Sequence, residues 1–326
     1  MYIFHNTNTD PYWNLAAEEY LLKNFEEDFF VLWRNQPAII IGRHQNANAE
    51  INIEHVKQNS IKVVRRITGG GAVFHDLGNI NFTFIQGGED PKSIDFDRYT
   101  KPIVNVLQKL GVNASMEGRN DICIDGSKIS GNAEHIDKKR LLHHGTLLFS
   151  SDMVDLSSAL KVHPAKYQDK AIQSVRKRVA NISDHLQQKM SVEQFIENLL
   201  DEINQQFLNS QSFDFDHKDK EHIEALVEKK YRTWEWTFGK SPNYNFEQSA
   251  KTPGGVVEFK MQVSQGIIED LKIYGDFFSA LDVEDVEKLL KGIPHDEKAI
   301  RQKLETINVT DYFNNVTKED LLPIMF

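Results

Sequence analysis

Hydrophobic and polar residues alternate over several short stretches of the chain, as they do in β-strands that bury one face. The clearest case is residues 79–85, where Ile80, Phe82 and Phe84 alternate with polar neighbours. Short apolar runs, many with turn-forming residues beside them, predict further strands. These lie at residues 29–33, 38–42, 61–66, 122–125, 128–130, 141–149, 255–263 and 266–274.

Other segments repeat apolar residues every three to four positions, the period of a helix that packs one face on a core. The first of them begins at Asp10-Pro11, a capping acid followed by a proline that suits the first helical position. Helices are predicted at residues 11–22, 50–59, 97–110, 191–207, 218–231, 282–291 and 295–305. Strands joined by short turns, with helices between groups of them, favour an α+β fold with a mixed sheet.

Turn-forming residues cluster between residues 239 and 255, with Gly-Lys-Ser-Pro-Asn at one end and Pro-Gly-Gly at the other. A chain of 326 residues is long enough for two domains. We therefore predict a large domain over residues 1–245 and a small α+β domain over residues 246–326.

The composition is that of an ordinary globular protein, with 40% hydrophobic and 26% charged residues. No run of about eighteen apolar residues predicts a membrane span, and the first residues carry no export signal. A net charge of −10 argues against general binding of nucleic acid, which needs a basic surface. The single cysteine excludes an internal disulfide and fits a reducing compartment. We expect a cytoplasmic protein with neither nucleic acid nor membrane as a partner.

One segment departs from this acidic average. Residues 161–178 contain one acid, Asp169, against six basic residues: Lys161, Lys166, Lys170, Arg176, Lys177 and Arg178. A solvated helix face is the ordinary interpretation of such a run. In an acidic protein such a run is also the natural binding surface for an acidic partner.

Three consecutive glycines, residues 69–71, lie between two predicted strands and close to Arg65 and Arg66. Glycine weakens a strand, so the run indicates a bulge, a tight turn or a close approach of another group to the backbone. Neither a Walker loop nor a dinucleotide-binding loop has this spacing. Arginine binds phosphate and carboxylate in bidentate fashion. We interpret the run as backbone amides that cradle an anion.

Lys128 lies in a segment rich in small residues, next to the apolar run 122–124. A lysine on a buried strand needs a charged partner or serves a reaction, because an unpaired buried charge is costly. Asp125-Gly126 is also a strong hairpin signal, so Lys128 could instead point into solvent. Position alone leaves both interpretations open.

Two further residue types with catalytic potential have ordinary interpretations. His143 and His144 are adjacent in a predicted strand and face opposite sides of it, so they do not easily bind one metal ion. His144 is expected to be a hydrogen-bonding group. Cys123 lies between two isoleucines, whereas a nucleophilic cysteine needs an exposed, electropositive setting. We expect it to be an inert core residue.

Taken in order, these motifs resemble those of the bacterial two-domain lipoate–protein ligases. The resemblance rests on RRITGGGAVFHDLGN, GRNDICIDGSKISGNA, HHGTLL and SVRKRVAN. It extends from NLAAEEYLL and LWRNQPAIIIGRHQN at one end to WEWTFG and the small C-terminal domain at the other.

The resemblance implies a catalytic domain similar to the cores of biotin–protein ligases and class II aminoacyl-tRNA synthetases. It implies that lipoate and ATP, with magnesium, give lipoyl-AMP and pyrophosphate. The lipoyl group then passes to a lysine of a lipoyl domain of a 2-oxoacid dehydrogenase complex, or of the glycine-cleavage H protein.

The same resemblance implies roles for individual residues. Lys128 would be catalytic and would touch both the lipoate carboxyl and the α-phosphate, and Asp121 would contact magnesium. The residues implied to bind ATP are Arg66, Gly71, Ala72, Val73, Phe74 and Lys128. Those implied to bind lipoate are Lys128, Gly70, His75 and His144.

Three alternatives remain at this stage. A cysteine-dependent octanoyl transferase of related fold uses another acyl donor and needs a reactive cysteine after the lysine motif, but no cysteine follows Cys123. A non-catalytic lipoate-binding protein would not need Arg66, the glycine run and Lys128 together. A biotin ligase would differ in the acid that drives ATP–pyrophosphate exchange.

Overall fold

The computed structural model describes residues 1–43, 45–88, 95–118, 120–160, 167–168, 179–207, 209–241, 243–275, 277, 279 and 281–326. The basic segment 161–178, predicted to meet an acidic partner, lies outside them except for the backbone of residues 167–168.

Fourteen strands and twelve α-helices form within the described residues, together with 3₁₀-helices at Ile182–His185 and Leu322–Met325 and a π-helix at Val227–Tyr231. The strands are β1 Tyr2–Asn6, β2 Phe29–Trp33, β3 Ala38–Ile41, β4 Lys62–Arg65, β5 Val73–His75, β6 Asn79–Gly87, β7 Ala114–Glu117, β8 Asp121–Ile124, β9 Ser127–Asp137, β10 Arg140–Leu148, β11 Tyr167–Gln168, β12 Tyr244–Thr252, β13 Gly255–Ser264 and β14 Ile267–Gly275. The helices are α1 Pro11–Asn24, α2 Ala47–Glu50, α3 Ile53–Gln58, α4 Phe96–Lys109, α5 Met153–Ala159, α6 Val192–Gln206, α7 His217–Leu226, α8 Trp234–Thr237, α9 Glu284–Leu290, α10 Glu297–Leu304, α11 Val309–Tyr312 and α12 Lys318–Leu321. The predicted α+β class with a mixed sheet is confirmed.

The chain divides into two compact units. The first comprises Met1–Arg43, Ser60–Ala159 and Ser174–Thr233, and the second comprises His44–Asn59, Leu160–Gln173 and Trp234–Phe326. The predicted division of domains at residues 245/246 stays a prediction.

A large sheet in the first unit has the strand order β1-β2-β6-β10-β9-β8-β7. Strands β1 and β2 are parallel, and the other neighbours are antiparallel. A smaller sheet has the order β4-β3-β5, with β4 parallel and β5 antiparallel to β3. The glycine run therefore connects the two outer strands of the smaller sheet.

The two faces of the large sheet differ in polarity. Phe82 and Phe84 of β6 belong to a buried core that also contains Leu107 of α4 and Phe195 of α6. Side chains alternate along a strand, so Thr83 lies on the other face, where its hydroxyl donates to Glu18 of α1 at 2.6 Å. The hydrophobic face builds the core, and the face covered by α1 is left for polar chemistry.

The second unit has a sheet of order β11-β12-β13-β14, counted over the described residues. The predicted hairpin of β13 and β14 is confirmed. The turn-rich stretch near residues 239–255, however, contains strand β12, which the sequence analysis missed. Only Tyr244 and Phe246 give this strand an apolar face at its start, so pairing with β13 decides its conformation.

The short helix predicted over residues 50–59 is confirmed as α3, although it begins later than predicted and a separate short helix, α2, precedes it. Ile51 lies between them in an isolated β-bridge with Leu160. Asn52 then caps α3, since its side chain accepts from the backbone N–H of His55. Across the described residues, no helix combines the length and apolar character needed to cross a membrane.

Candidate active site

The glycine run forms a loop whose shape depends on one residue. Gly70 has φ +89°, a left-handed conformation that side chains disfavour. A Cβ atom built there would lie 3.0 Å from Nη2 of Arg66. Glycine is thus required at this position by both conformation and space.

Arg66 holds this loop from inside. Its Nη2 donates to the carbonyl oxygens of Gly69 at 2.6 Å and Gly71 at 2.8 Å, and its Nη1 donates to the carbonyl of Ile40 at 3.1 Å. Its Nε donates to Oγ1 of Thr68 at 2.9 Å. Arg66 is 5% exposed, and burial lowers its pKa to about 10. It therefore organises the loop as a cation, and its predicted contact with ATP phosphates stays a prediction.

The neighbouring Arg65 is fully buried and, like Arg66, donates hydrogen bonds to backbone carbonyls. Its Nη1 donates to the backbone oxygens of Gly42 at 2.8 Å and Arg43 at 3.1 Å, directly after β3. Burial, followed by the charge of Arg66, lowers its pKa to about 10. Both arginines bring positive charge to the root of the glycine loop.

A hydrogen-bonded chain ties the loop to the large sheet. Oγ1 of Thr68 lies 2.8 Å from Nε2 of His144 on β10, and Nδ1 of His144 lies 3.0 Å from a carboxylate oxygen of Glu18 on α1. Trp33 Nε1 donates to Thr83 Oγ1 at 2.8 Å, and that hydroxyl donates to Glu18. His144 is a hydrogen-bonding group, as predicted, while its contact with lipoate stays a prediction.

Sequence reasoning missed Glu18. It is 126 residues from His144 along the chain, and nothing in the local pattern marks its partner. The available signal was a helix with polar residues at Asn14 and Glu18, four positions apart and therefore on one face. Both are buried, at 2% and 5% exposure.

His75, at the end of β5, is fixed by a second polar chain. Its Nδ1 lies 3.1 Å from Nδ2 of Asn35, whose Oδ1 accepts from Nδ2 of Asn14 at 2.9 Å. Burial, together with the smaller effects of Arg66 and His144, lowers the pKa of His75 to about 3. His75, Arg66 and His144 are therefore close enough to interact electrostatically.

Lys128 is paired with Asp121, Nζ to Oδ1, at 2.9 Å, and its side chain is 27% exposed. Asp125 and Gly126 form the predicted two-residue turn, both with positive φ. The sequence left open whether Lys128 is buried with a charged partner or points into solvent. The structure combines the two, because the side chain is partly exposed and is also paired with a carboxylate. A Cβ on Gly131 would lie 2.8 Å from Nζ of Lys128, so this glycine makes room for the ammonium group.

Two asparagines link β8 to β9 beside the Lys128–Asp121 pair. Nδ2 of Asn120 donates to the carbonyl of Asn132 at 2.7 Å, and Nδ2 of Asn132 donates back to the carbonyl of Asn120 at 3.1 Å. Oδ1 of Asn132 also contacts Nε2 of His143 at 3.2 Å. His143 lies on the core face, where its ring stacks with Tyr99 at 5.1 Å, and burial lowers its pKa well below the usual value.

The predicted nucleotide-binding residues differ in exposure. Ala72 and Phe74 are buried, at 7% and 3%, while Val73 is half-buried. Phe74 pairs with Ile39 of β3 in the small sheet. Contact of Gly71, Ala72, Val73 and Phe74 with ATP stays a prediction.

The predicted contact of Asp121 with magnesium stays a prediction, in which Asp121 would be a single carboxylate ligand. No cluster of three or more histidine, cysteine or acidic side chains able to hold a metal ion occurs among the described residues. Magnesium in nucleotide sites needs only one or two protein carboxylates, because phosphates and waters supply the rest. Asp121 is 8% exposed and lies beside Lys128.

Cys123 is completely buried, as expected for a core residue. It lies on β8 between Ile122 and Ile124, whose side chains belong to the hydrophobic core. Because side chains alternate along a strand, the thiol lies on the other face, in register with Lys128. A fully buried thiol lacks the exposure that makes a cysteine reactive.

Comparison with family models and with whole proteins leads to the same family. Residues 10–204 match the family described as lipoyl protein ligase A/B catalytic domain, and residues 241–325 match the bacterial lipoate protein ligase C-terminus. The chain is 43% identical over 330 residues to lipoate-protein ligase LplJ of Bacillus subtilis, covering all of both chains.

Two solved structures are similar in fold. A crystal structure of lipoate-protein ligase A bound with ATP has a TM-score of 0.63 and 28% identity, covering 73% of this chain and 98% of that one. A bipartite lipoate protein ligase of Thermoplasma acidophilum, studied with its E2 lipoyl domain, has a TM-score of 0.62 and 27% identity, covering 73% and 96%.

Proposed function

The chain belongs to the lipoate–protein ligase family, and we propose that it converts lipoate and ATP to lipoyl-AMP and pyrophosphate and then transfers the lipoyl group to a protein lysine. The observation that carries this proposal is the placement of Lys128. Its ammonium is partly exposed, is paired with Asp121 and sits in space left by Gly131.

Adenylation brings two anions together, the carboxylate of the acid and the α-phosphate of ATP. A fixed ammonium between them offsets their repulsion and stabilises the charge that grows at phosphorus. Lys128 is suited to this because a lysine ammonium is a compact charge. We assign Lys128 as the catalytic residue that touches both substrates.

The glycine loop would hold the nucleotide. Gly71 and Ala72 would offer backbone amides that little or no side chain covers. Val73 and Phe74 follow them as the first residues of β5. Arg66 would supply positive charge at the start of the loop. Arg66 would act on the phosphates through the loop that it shapes, or directly if its bonds to Gly69 and Gly71 open.

Magnesium would be held by Asp121 together with the ATP phosphates. It would shield phosphate charge during adenylation. Because Asp121 is paired with Lys128, the magnesium ion would lie beside the lysine ammonium, and both cations would offset the charge of the phosphates.

Lipoate would enter beneath the loop. Gly70 leaves space there, and His75 and His144 are polar side chains held in fixed orientations by Asn35 and Glu18. The acid's carboxyl end would reach Lys128, and its ring end would lie toward the histidines.

The acceptor would be a lipoyl domain or the glycine-cleavage H protein. The Thermoplasma ligase, studied with its E2 lipoyl domain, supports the first. The single cysteine fits the cytoplasm, where these acceptors are found.

The decisive experiment is ATP–pyrophosphate exchange, titrated separately with lipoate, octanoate and biotin. We expect exchange with lipoate and none with biotin. Mass spectrometry of a purified lipoyl domain and H protein then follows transfer, with each acceptor lysine replaced by arginine as the control. Lipoylation without ATP would instead favour an acyl transferase, an outcome opposed by the burial of Cys123. Lipoate binding without exchange would favour a non-catalytic carrier.

A further inference from the structure

A ring nitrogen of His75 is among the buried side-chain atoms that have no hydrogen-bond partner in the described structure. Nε2 of His75 is covered from solvent, and no described group lies within hydrogen-bonding distance of it. His75 is 3% exposed, and a buried polar atom of this kind ordinarily finds a partner. The other nitrogen, Nδ1, contacts Asn35.

The protonation of His75 follows from the direction of the asparagine chain. At one end, Oδ1 of Asn6 accepts from the backbone N–H of Asn8 at 3.1 Å, so Nδ2 of Asn6 faces Oδ1 of Asn14 at 2.9 Å. Because a backbone N–H can only donate, this end of the chain has one possible direction.

The next link agrees with it. Nδ2 of Asn14 faces the backbone carbonyls of Asn8 at 2.9 Å and Arg34 at 3.0 Å, which can only accept. The same Nδ2 meets Oδ1 of Asn35, so Nδ2 of Asn35 donates to Nδ1 of His75. Backbone groups thus fix the amides of Asn6 and Asn14, and Nδ2 of Asn14 in turn orients Asn35. The single hydrogen of neutral His75 then lies on Nε2.

The neutral form is itself favoured by the surroundings. Burial and the charges of Arg66 and His144 lower the pKa of His75 to about 3. His75 therefore presents the same N–H donor throughout the neutral and weakly acidic range. Its other close neighbour is the Trp33 ring, 6.0 Å away between centroids.

We propose that His75 is a specificity-determining residue, whose Nε2–H donates to a sulfur of the dithiolane ring of lipoate, and that Asn14 and Asn35 are positioning residues that keep the hydrogen on Nε2. The inference rests on the proposed function. With the carboxyl end assigned to Lys128, the two ring sulfurs are the remaining polar atoms of the acid. A sulfur is a weak, polarizable acceptor suited to an aromatic, buried setting.

The consequence is discrimination between acids of equal chain length. Octanoate has no sulfur, so it leaves the donor of His75 unpaired, whereas lipoate satisfies it. A site built around a buried donor favours the ligand that pairs with it. We expect lipoate to be preferred over octanoate by about tenfold in kcat/KM, the value of one ordinary hydrogen bond.

The test compares ATP–pyrophosphate exchange with lipoate and with octanoate in the wild-type protein, His75→Phe and Asn35→Asp. His75→Phe keeps a ring but removes the donor, so the ratio of kcat/KM values should fall by about tenfold. Asn35→Asp is nearly isosteric, and its carboxylate requires the hydrogen on Nδ1, which leaves Nε2 without one. Its ratio should fall at pH 8 and recover as pH decreases, because a doubly protonated His75 regains the Nε2–H.

The wild-type ratio should stay constant over the same pH range. Asn198→Asp, on the exposed face of α6, is the matched control and should behave as the wild-type protein does. If His75→Phe does not fold, the inference is tested by Asn35→Asp and by the ratio of kcat/KM values for lipoate and octanoate in the wild-type protein. An unchanged ratio in the variants, or a wild-type protein indifferent to the two acids, overturns the inference alone. Absence of lipoate-dependent exchange in the wild-type protein overturns the proposed function together with it.

Discussion

Thr68 and His144 are 76 residues apart in sequence, yet Oγ1 of the first lies 2.8 Å from Nε2 of the second. Glu18 accepts from Nδ1 of His144, and Nε2 of the same ring forms a hydrogen bond with the threonine hydroxyl. Arg66 donates to the same hydroxyl oxygen. The first residue of the glycine loop is therefore held between a strand of the large sheet and the arginine that shapes the loop.

Replacing Thr68 by valine should loosen the loop. The change keeps the branched shape but removes the hydroxyl, so Nε2 of His144 loses its hydrogen-bond partner and Nε of Arg66 loses one acceptor. We expect a loss of about 1–3 kcal/mol, seen as a tenfold to hundredfold lower rate of ATP–pyrophosphate exchange. Thr68→Ser is the matched control and should stay close to wild type. A fully active Thr68→Val protein would show that the bond does not hold the loop.

Lys128→Ala should abolish most adenylation. Two anions would face each other without the ammonium, and loss of one such preorganised charge costs about 3–4 kcal/mol, a hundredfold to a thousandfold in rate. Lys128→Arg should not restore activity, because a planar guanidinium does not fit the space of an ammonium. Lipoyl-AMP formation measures the effect, with Lys101→Ala on the exposed face of α4 as the control. An active Lys128→Ala protein contradicts the assignment.

Gly131→Ala should impair the same step without touching the lysine itself. The new methyl group would lie 2.8 Å from Nζ and 3.0 Å from Cε of Lys128, so the ammonium must move. We expect a roughly tenfold decrease in lipoyl-AMP formation, since small displacements of a catalytic group are costly. Gly87→Ala is the control, because its Cβ would meet Nη1 of Arg140 at an ordinary 3.5 Å. Equal effects of the two changes would argue against a special role for the space at Gly131.

Cys123→Ser should affect stability and spare turnover. It places a hydroxyl at a fully buried position of β8, which lowers the free energy of unfolding by about 1–3 kcal/mol if the group finds no partner. Cys123→Ala, which adds no polar atom, separates this cost from the loss of packing. The folded fraction should still form lipoyl-AMP. Complete inactivity of a folded Cys123→Ser protein would instead indicate a thioester mechanism.

The protein should lose stability as the pH falls below about 6.5. Burial holds the pKa of His75 at about 3 and that of His143 well below 6.5, whereas both titrate near 6.5 in the unfolded chain. Between these values the unfolded state binds more protons, so the free energy of unfolding decreases by up to about 1.4 kcal/mol per pH unit for each histidine. Urea unfolding between pH 7.5 and 4.5 measures the slope, which His75→Phe should reduce. His217→Asn, at an exposed position, should leave it unchanged.

Much of the fold follows from local sequence signals. Alternation of Ile80, Phe82 and Phe84 predicts strand β6, and Asp10 caps α1 through its bond to the backbone of Tyr12 at 2.9 Å, as its place before Pro11 indicates. Asp125-Gly126 marks the turn before Lys128. Strands β1, β5, β7, β11 and β12 were missed, because β5 and β11 are short and the other three depend on pairing with a neighbour.

The sequence by itself therefore determined the class of fold, most elements of both units and, through ordered motifs, the family. It did so because capping, turn conformation and hydrophobic period are each encoded by a few adjacent residues. Only the tertiary structure decided that Glu18 orients His144, that Asn14 and Asn35 orient His75, and that Arg66 grips its own loop. Those contacts depend on the spatial order of the strands in the sheets and on how α1 packs on them. No stretch of neighbouring residues specifies that arrangement.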